Sequence, residues 1–259
     1  MRIYSFGDPK KPVILLLPGT CCHWENNFGE VIPLLEKSFY VNAVSFDGFD
    51  ETEDTVFPTM LEETEKLESY IKKHFGGKIC CAYGCSLGGS FVGLLIQRRN
   101  IQIDHGIIGS SDLDQSGKFT AGLKARIMSP ILRKMLTKGK LPSWMQKWID
   151  SRSHEEQVYL KKMLTLFGIG STKMAFVKSK SIYNQFYSDL VTPLEDNIGV
   201  PGTTIHCFYA EKMGEKYLGR YKKHFSNPDI RHHNLQHEEL LVCYPEKWVS
   251  EVEACCGIK

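Results

Sequence analysis

The sequence predicts an α/β protein with a mostly parallel central sheet, flanked by helices, and an inserted all-helical segment. Short apolar runs of strand length alternate with helical patterns over residues 1–112. The alternation stops at 113–200, where helical patterns follow one another, and it resumes over 201–259. Because two parallel strands need a crossover between them, and this is usually a helix, alternation favours a parallel sheet.

The first part of the chain supplies four predicted strands. An apolar run at 12–17 ends at Pro18-Gly19, where proline cannot donate to a ladder and glycine permits a turn. Further strands are predicted at 39–46, 78–83 and 103–110. Helices are expected between them, at 26–36, at 59–75 and after Ser86. Charged residues alternate with apolar ones at helical spacing in 59–75, which indicates a surface helix.

Residues 113–200 are interpreted as a helical cap inserted into the sheet domain. One apolar stripe contains Met128, Ile131, Leu132, Met135 and Leu136, and another contains Trp144, Trp148 and Ile149. Seven apolar side chains of the segment are expected to form the core of the cap or to line an acyl or aryl pocket: Met128, Met135, Trp144, Met145, Trp148, Phe167 and Phe176. The segment holds 14 Lys and Arg against 7 Asp and Glu. That excess favours either an anionic substrate or surface, or simply a solvated helix face.

The last part of the chain returns to alternation. We predict a strand at 204–209, a helix carrying Tyr217 and Tyr221, a strand at 230–234 and a helix after Pro245. These elements complete the sheet domain that begins with residues 1–112.

Composition excludes several classes of function. The net charge is +2, from 32 basic and 30 acidic residues, and gives no reason to expect nucleic-acid binding. No apolar run approaches the roughly 20 residues that span a bilayer, and no signal-peptide pattern opens the chain, which predicts a cytoplasmic protein. The nine cysteines, an odd number, are typical of reduced thiols. Although Cys21, Cys22 and His23 are adjacent, no Cys-x-x-Cys pair supports zinc, so we predict no metal.

A G-x-S-x-G motif, Gly84-Cys85-Ser86-Leu87-Gly88, lies between a predicted strand and a predicted helix. Such a sharp turn strains the serine backbone, exposes the hydroxyl, and is sterically possible only beside small residues. The start of the following helix directs unpaired N–H groups at negative charge on a substrate, and the N–H of Leu87 is the expected donor. The motif predicts Ser86 as a nucleophile.

With this motif and this order of elements, the chain resembles the α/β-hydrolase superfamily over nearly its whole length. The resemblance implies a second oxyanion donor after the first central strand, and Pro18-Gly19-Thr20 occupies that place with the N–H of Thr20 as the donor. Pro18 replaces the usual histidine. The resemblance also implies a catalytic histidine after the last strand, and His237 lies there. His232 and His233 are the other candidates for this histidine, but both fall inside a predicted strand.

The resemblance leaves the acid of the triad open. Its commonest position follows the strand at 204–209, where Gly-x-x-Asp is expected, but the chain reads Ala-Glu-Lys-Met. Asp112, at the end of the preceding strand, is the first choice, Glu215 the second and Glu211 the third. Each is otherwise a solvated loop carboxylate or a helix cap.

The resemblance implies a serine hydrolase that cleaves a carboxylic ester of a small or medium apolar acyl or aryl compound through an acyl-enzyme. Thioesterases, lactonases, amidases and carbon–carbon bond hydrolases use the same groups. A non-catalytic member that binds a small ligand is a further alternative, suggested by Pro18 and by the missing aspartate. Cys21, Trp24 and Trp144 are the expected substrate-binding residues. No cofactor is expected, and the sequence does not indicate an oligomeric state.

Overall fold

The computed structural model describes residues 1–138, 141, 143–169 and 173–258. In chain order its elements are β1 (Arg2–Phe6), β2 (Val13–Leu17), α1 (Trp24–Phe28), α2 (Ile32–Leu35), β3 (Tyr40–Ser45), α3 (Met60–Phe75), β4 (Lys78–Gly84), α4 (Leu87–Arg98), β5 (Gln102–Ile108), α5 (Lys118–Lys138), α6 (Ser143–Asp150), α7 (His154–Leu166), α8 (Ser179–Val191), β6 (Thr204–Ala210), α9 (Glu215–His224), β7 (Asp229–His233), α10 (Glu239–Cys243) and α11 (Pro245–Cys255).

Seven strands form one sheet in the order β1-β3-β2-β4-β5-β6-β7. β1 runs antiparallel to β3, and the other five neighbouring pairs are parallel. This confirms the predicted α/β class with a mostly parallel sheet. The carboxyl ends of the parallel strands meet at one edge, which is where ligands bind in open α/β sheets.

Both faces of the sheet are covered. Along β2, Leu15 and Leu17 belong to one buried apolar cluster, while Ile14 and Leu16 belong to a second cluster on the other face. Successive side chains of a strand point to opposite faces, so a strand buried on both sides must be apolar at every position. The uninterrupted apolar run of β2 therefore follows from its central place in the sheet.

Two elements differ from the sequence prediction. β1 was not predicted because an edge strand needs no continuous apolar run, and its side chains are half-buried or exposed. The single helix expected at 26–36 is instead two short helices, α1 and α2. Pro33 lies in the first turn of α2 and has no N–H to donate to the carbonyl oxygen of Gly29, which disfavours continuing α1 into α2.

The described part of the segment 113–200 contains helices α5 to α8 and no strand. Its longest helix, α5, packs along α8. α7 packs against α10 and α1, so this segment touches the elements that follow β7 and β2. Among the described helices, none is long and apolar enough to cross a membrane.

Candidate active site

Ser86 lies at the turn between β4 and α4 and has a strained backbone, with φ 49° and ψ −111°. Such a conformation costs of the order of 1–3 kcal/mol in a residue with a side chain. The flanking glycines have no room for a side chain. A Cβ on Gly84 would lie 2.1 Å from the carbonyl group of Gly88, and a Cβ on Gly88 would lie 2.2 Å from the carbonyl oxygen of Leu17. Close packing of β2, β4 and α4 therefore requires both glycines.

A buried carboxylate, that of Glu238, holds the turn in place. Its Oε1 accepts the N–H of Ser86 at 2.8 Å and that of Ser110 at 2.9 Å, and its Oε2 accepts the Tyr83 hydroxyl at 3.0 Å. Glu238 is 2% exposed and has a left-handed φ of 54°. Burial, and then the charge of Glu238, raise the pKa of the Tyr83 hydroxyl, which keeps it a donor. Three donors thus compensate the buried carboxylate.

The loop after β2 is held from both sides of Thr20. The N–H of Gly19 donates to Asn27 Oδ1 at 2.7 Å, and the N–H of Cys21 donates to Gln185 Oε1 at 2.7 Å. Both amide side chains are buried. The N–H of Thr20, which lies between these two residues, has no acceptor among the described residues. Side chains from α1 and α8 therefore fix this loop and leave one donor available.

The N–H of Leu87 is a second available donor. Leu87 is the first residue of α4, and the first N–H groups of a helix have no acceptor within the helix. The two loops are adjacent because Leu17 pairs with Gly84 in the sheet, and a Cβ on Gly19 would lie 3.5 Å from the carbonyl oxygen of Cys85. Two N–H groups at the ends of neighbouring strands are suited to binding an oxyanion.

His237 lies on the loop between β7 and α10 and is half-buried. Its backbone oxygen accepts the hydroxyl of Tyr159 on α7 at 3.0 Å. It directly precedes Glu238, and consecutive Cα atoms are about 3.8 Å apart, so its backbone lies near the Ser86 turn. Its Nδ1 is buried and has no hydrogen-bond partner in the described part of the chain. Among the described residues, the imidazole of His237 forms no hydrogen bond with the hydroxyl of Ser86.

None of the three carboxylates predicted for the triad contacts His237. Glu211 Oε1 lies 3.0 Å from His232 Nδ1, in an exposed pair. Asp112 is half-buried, and its Oδ1 accepts only a long bond of 3.4 Å, from the backbone N–H two residues on. Glu215 is exposed at the start of α9. The structure therefore leaves the acid as a prediction.

The predicted substrate-binding residues do not share one pocket. Cys21 is 1% exposed, and Trp24 stacks on Tyr4 with ring centroids 4.6 Å apart. Trp144 lines a cavity of about 440 Å³ between α5, α6 and α7. Eleven side chains, all apolar, line this cavity, among them Met135, Met145, Trp148 and Phe167, whereas Ser86 and His237 do not line it.

One group of possible metal ligands lies beside the loop after β2. His23, Asp50 and Glu51 have ligand atoms within 4.8 Å of one another. However, His23 Nδ1 accepts the N–H of Glu25 at 3.3 Å, so Nε2 carries the proton and donates to Glu51 at 2.9 Å. Asp50 accepts the Tyr4 hydroxyl. Neither imidazole nitrogen has a free lone pair, so the geometry fits a histidine–carboxylate pair better than a metal centre.

Comparison with known proteins finds similarity only at the level of structure. No family model and no curated protein matches the chain. Among solved structures, an alpha/beta hydrolase family protein from Desulfitobacterium hafniense has a TM-score of 0.78 at 18% identity, with 98% of this chain and 99% of that chain covered. A lipase-esterase related protein from Clostridium acetobutylicum has a TM-score of 0.67 at 15% identity, with 98% of each chain covered.

An enol-lactonase from Burkholderia xenovorans is a third similar structure, with a TM-score of 0.65 at 12% identity over 99% of this chain and 96% of that chain. At such low sequence identities, structural similarity is evidence for a shared fold and not for a shared function. The chain therefore has the α/β-hydrolase fold, as the resemblance in sequence predicted.

Sequence reasoning missed the polar groups that support this site: Glu238, Tyr83, Asn27 and Gln185. Glu238 and Ser86 are 152 positions apart. The only signal in the sequence is that Glu238 follows His237, and a glutamate in a polar loop is usually solvated. No local pattern indicates that this one turns inward.

Proposed function

We propose that the protein is a serine hydrolase that cleaves a carboxylic ester of a small or medium apolar acyl or aryl compound, with Ser86 as its nucleophile. The observation that carries this proposal is the backbone of Ser86, with φ 49° at the junction of β4 and α4. Such strain persists only where the surrounding fold enforces it, and a strained serine at a strand-to-helix turn presents its hydroxyl beside unpaired N–H groups. Residues 113–200 would serve as a cap over this site.

The proposed chemistry uses groups from three loops. His237 takes the proton of the Ser86 hydroxyl as Oγ bonds to the ester carbonyl carbon, and the carbonyl oxygen becomes an oxyanion that the N–H groups of Thr20 and Leu87 stabilise. The intermediate then expels the alcohol, which receives the proton from His237. Water, deprotonated by the same imidazole, releases the acyl group and restores Ser86.

Asp112 is the proposed acid. Glu211 already faces His232, and Glu215 is exposed, whereas the half-buried carboxylate of Asp112 accepts a single long hydrogen bond. Because Nδ1 of His237 has no partner among the described residues, its contact with Asp112 would form when substrate binds. Glu238 would act as a positioning residue, since its carboxylate is occupied by the Ser86 turn.

The similar structures support acyl-group hydrolysis but not one leaving group. They include an esterase, an enol-lactonase and a type II thioesterase. The helices that would cap the site enclose an apolar cavity beside Trp144, and although Ser86 and His237 do not line it, its lining is suited to an apolar acyl or aryl group on a small-molecule substrate.

A substrate panel tests the proposal. Nitrophenyl esters of increasing acyl length, acyl thioesters and lactones are offered to the wild type, to Ser86→Ala and to Ser90→Ala, a matched control one helical turn later. We expect ester hydrolysis by the wild type and the control, and a loss of kcat of about 10⁴ to 10⁶ in Ser86→Ala. Full activity in Ser86→Ala, or hydrolysis of none of these compounds by folded wild type, would overturn the proposal.

One observation favours a second candidate function, that of a non-catalytic binding module. The unpartnered Nδ1 of His237 leaves the base without an orienting group in this conformation. In that case the compounds of the same panel should raise the melting temperature of the wild type without being hydrolysed.

A further inference from the structure

Helix α5 carries apolar side chains on two opposite faces. Ala121 and Ala125 are completely buried, and the helix packs along α8. A second set, which we call the outer stripe, consists of Phe119, Leu123, Ile127 and Ile131, which are 86%, 53%, 54% and 49% exposed. The two sets are offset by two residues, which is about 200° around a helix. The outer stripe therefore points away from the protein, over a length of about 18 Å.

Basic residues flank the outer stripe. The 21 residues of α5 include six Lys and Arg and no Asp or Glu. Lys124, Arg126 and Lys134 are exposed next to the stripe. A helix that combines an exposed apolar face with Lys and Arg beside it is typical of segments that lie in the interface of a lipid bilayer.

Two tryptophans on α6 add further exposed apolar surface to the same segment. Trp144 and Trp148 are 67% and 45% exposed, and both also line the apolar cavity between α5, α6 and α7. The guanidinium of Arg152 lies 4.5 Å from the ring centroid of Trp148. Indole rings with a polar tip and an apolar body are enriched at the water–membrane boundary. The exposed surface is thus continuous with the cavity wall.

We propose that the outer stripe, together with Trp144 and Trp148, docks on the surface of an anionic lipid bilayer, with α5 parallel to the membrane plane. Residues 113–200 carry a net charge of +7 and the rest of the chain −5, which orients this face towards negative lipid headgroups. A second copy of the chain is a poorer occupant because it would bring an equal positive charge to the same face.

Docking also identifies a class of substrate, a step that rests on the proposed function. The cavity bounded by Trp144 and Trp148 is apolar throughout, and both of these rings are also exposed. An acyl chain that leaves the bilayer there exchanges one apolar environment for another. The esters expected at Ser86 are therefore amphiphilic lipid esters, whereas docking itself does not require Ser86 to be reactive.

Vesicle flotation tests the docking, with vesicles of phosphatidylcholine alone or mixed with phosphatidylserine. We expect wild type to bind the mixed vesicles, less at higher salt, and to bind phosphatidylcholine weakly. Changing Phe119, Leu123 and Ile127 to Ser should weaken binding at least about tenfold. Changing Lys124, Arg126 and Lys134 to Glu should weaken it by roughly 100-fold or more. All six side chains are exposed, so both variants should stay folded, which circular dichroism checks.

Matched controls carry the same changes on α3. Leu61→Ser removes an apolar side chain that is 42% exposed, and Lys72→Glu with Lys73→Glu reverses two exposed charges. These variants, and Ser86→Ala, should bind mixed vesicles as wild type does. Docking is overturned if wild type ignores phosphatidylserine, if the stripe variants bind equally well, or if they only convert a wild-type dimer to monomers. Vesicle binding without ester hydrolysis would retain the docking and remove the proposed function.

Discussion

The two halves of the candidate active site differ in how firmly the structure holds them. On the nucleophile side, the N–H of Ser86 is held by Glu238, and the loop carrying Thr20 is fixed by buried amides from α1 and α8. On the base side, the imidazole of His237 has a buried nitrogen without a partner among the described residues, and only its backbone is tied down, by Tyr159.

This difference teaches which part of the chemistry is built into the fold. Donors that stabilise an oxyanion work best when they are oriented before the reaction, because reorienting them then costs no free energy. The proposed nucleophile and the proposed oxyanion donors meet this condition. The proposed base does not, so we expect substrate binding to orient it.

Apart from Ser86→Ala, the greatest loss of turnover is expected from removing the proposed base, His237. His237→Ala should lower kcat for a nitrophenyl ester by about 10⁴ if its imidazole takes the serine proton. The melting temperature should change little, because the Nδ1 atom makes no hydrogen bond to any described residue. His232→Ala, which removes an exposed histidine paired with Glu211, is the control and should stay within about twofold of wild type. A comparable loss in both variants would show that the base side was misassigned.

The acid is expected to come next. Asp112→Asn should lower kcat by about 10² to 10⁴ if its carboxylate orients His237 in the substrate complex. Glu211→Gln should have little effect because that carboxylate pairs with His232 at the surface. Steady-state kinetics of both variants, and of Glu215→Gln, measure this. A full-sized loss in Glu215→Gln with none in Asp112→Asn would move the assignment to α9.

Glu238 provides the corresponding test on the nucleophile side. Glu238→Ala leaves the donors of Ser86, Ser110 and Tyr83 buried without an acceptor, so we expect a loss of about 3–6 kcal/mol in the free energy of unfolding. Glu238→Gln keeps an acceptor for the two N–H groups and should recover most of this. Urea denaturation measures both values. Equal stability of wild type and the alanine variant would contradict a positioning role.

The smallest effect concerns Glu63, a second buried carboxylate, which lies on helix α3. Burial raises the pKa of Glu63 to about 7, although Lys66 and the N–H of Asp47 partly compensate. An acid whose folded pKa lies above its unfolded value of about 4.5 stabilises the fold when protonated, and this contribution is lost as the pH rises through about 7.

The protein should therefore become less stable relative to Glu63→Gln by roughly 2–3 kcal/mol between about pH 4.5 and pH 8. Urea denaturation of both proteins across this range measures the difference, which most favours the variant at the alkaline end. The difference in the free energy of unfolding between the two proteins could also stay the same at every pH. In that case Lys66 and the N–H of Asp47 would compensate the buried carboxylate of Glu63 as fully as three donors compensate that of Glu238.

The sequence predicted features that depend on local patterns. Strands such as β2 and β4 carry apolar runs, and the glycines around Ser86 mark a turn where a Cβ would meet backbone 2.1 Å away. It did not predict β1, because this strand pairs with β3 at the edge of the sheet and needs no continuous apolar run. Nor did it predict the inward turn of Glu238, which depends on donors more than 100 positions away. The acid of the triad stayed open because several loop carboxylates follow predicted strands, and the sequence does not show which of them lies next to His237.

Covalent labelling with a fluorophosphonate, followed by peptide mapping, tests the central claim most directly, because the reagent reacts only with an activated serine. We expect a single phosphonyl group on Ser86 in wild type and no labelling of Ser86→Ala. Labelling of His237→Ala should be slower than that of wild type by at least about 100-fold. A folded wild type that takes up no label, or a label on another residue that persists in Ser86→Ala, would contradict it.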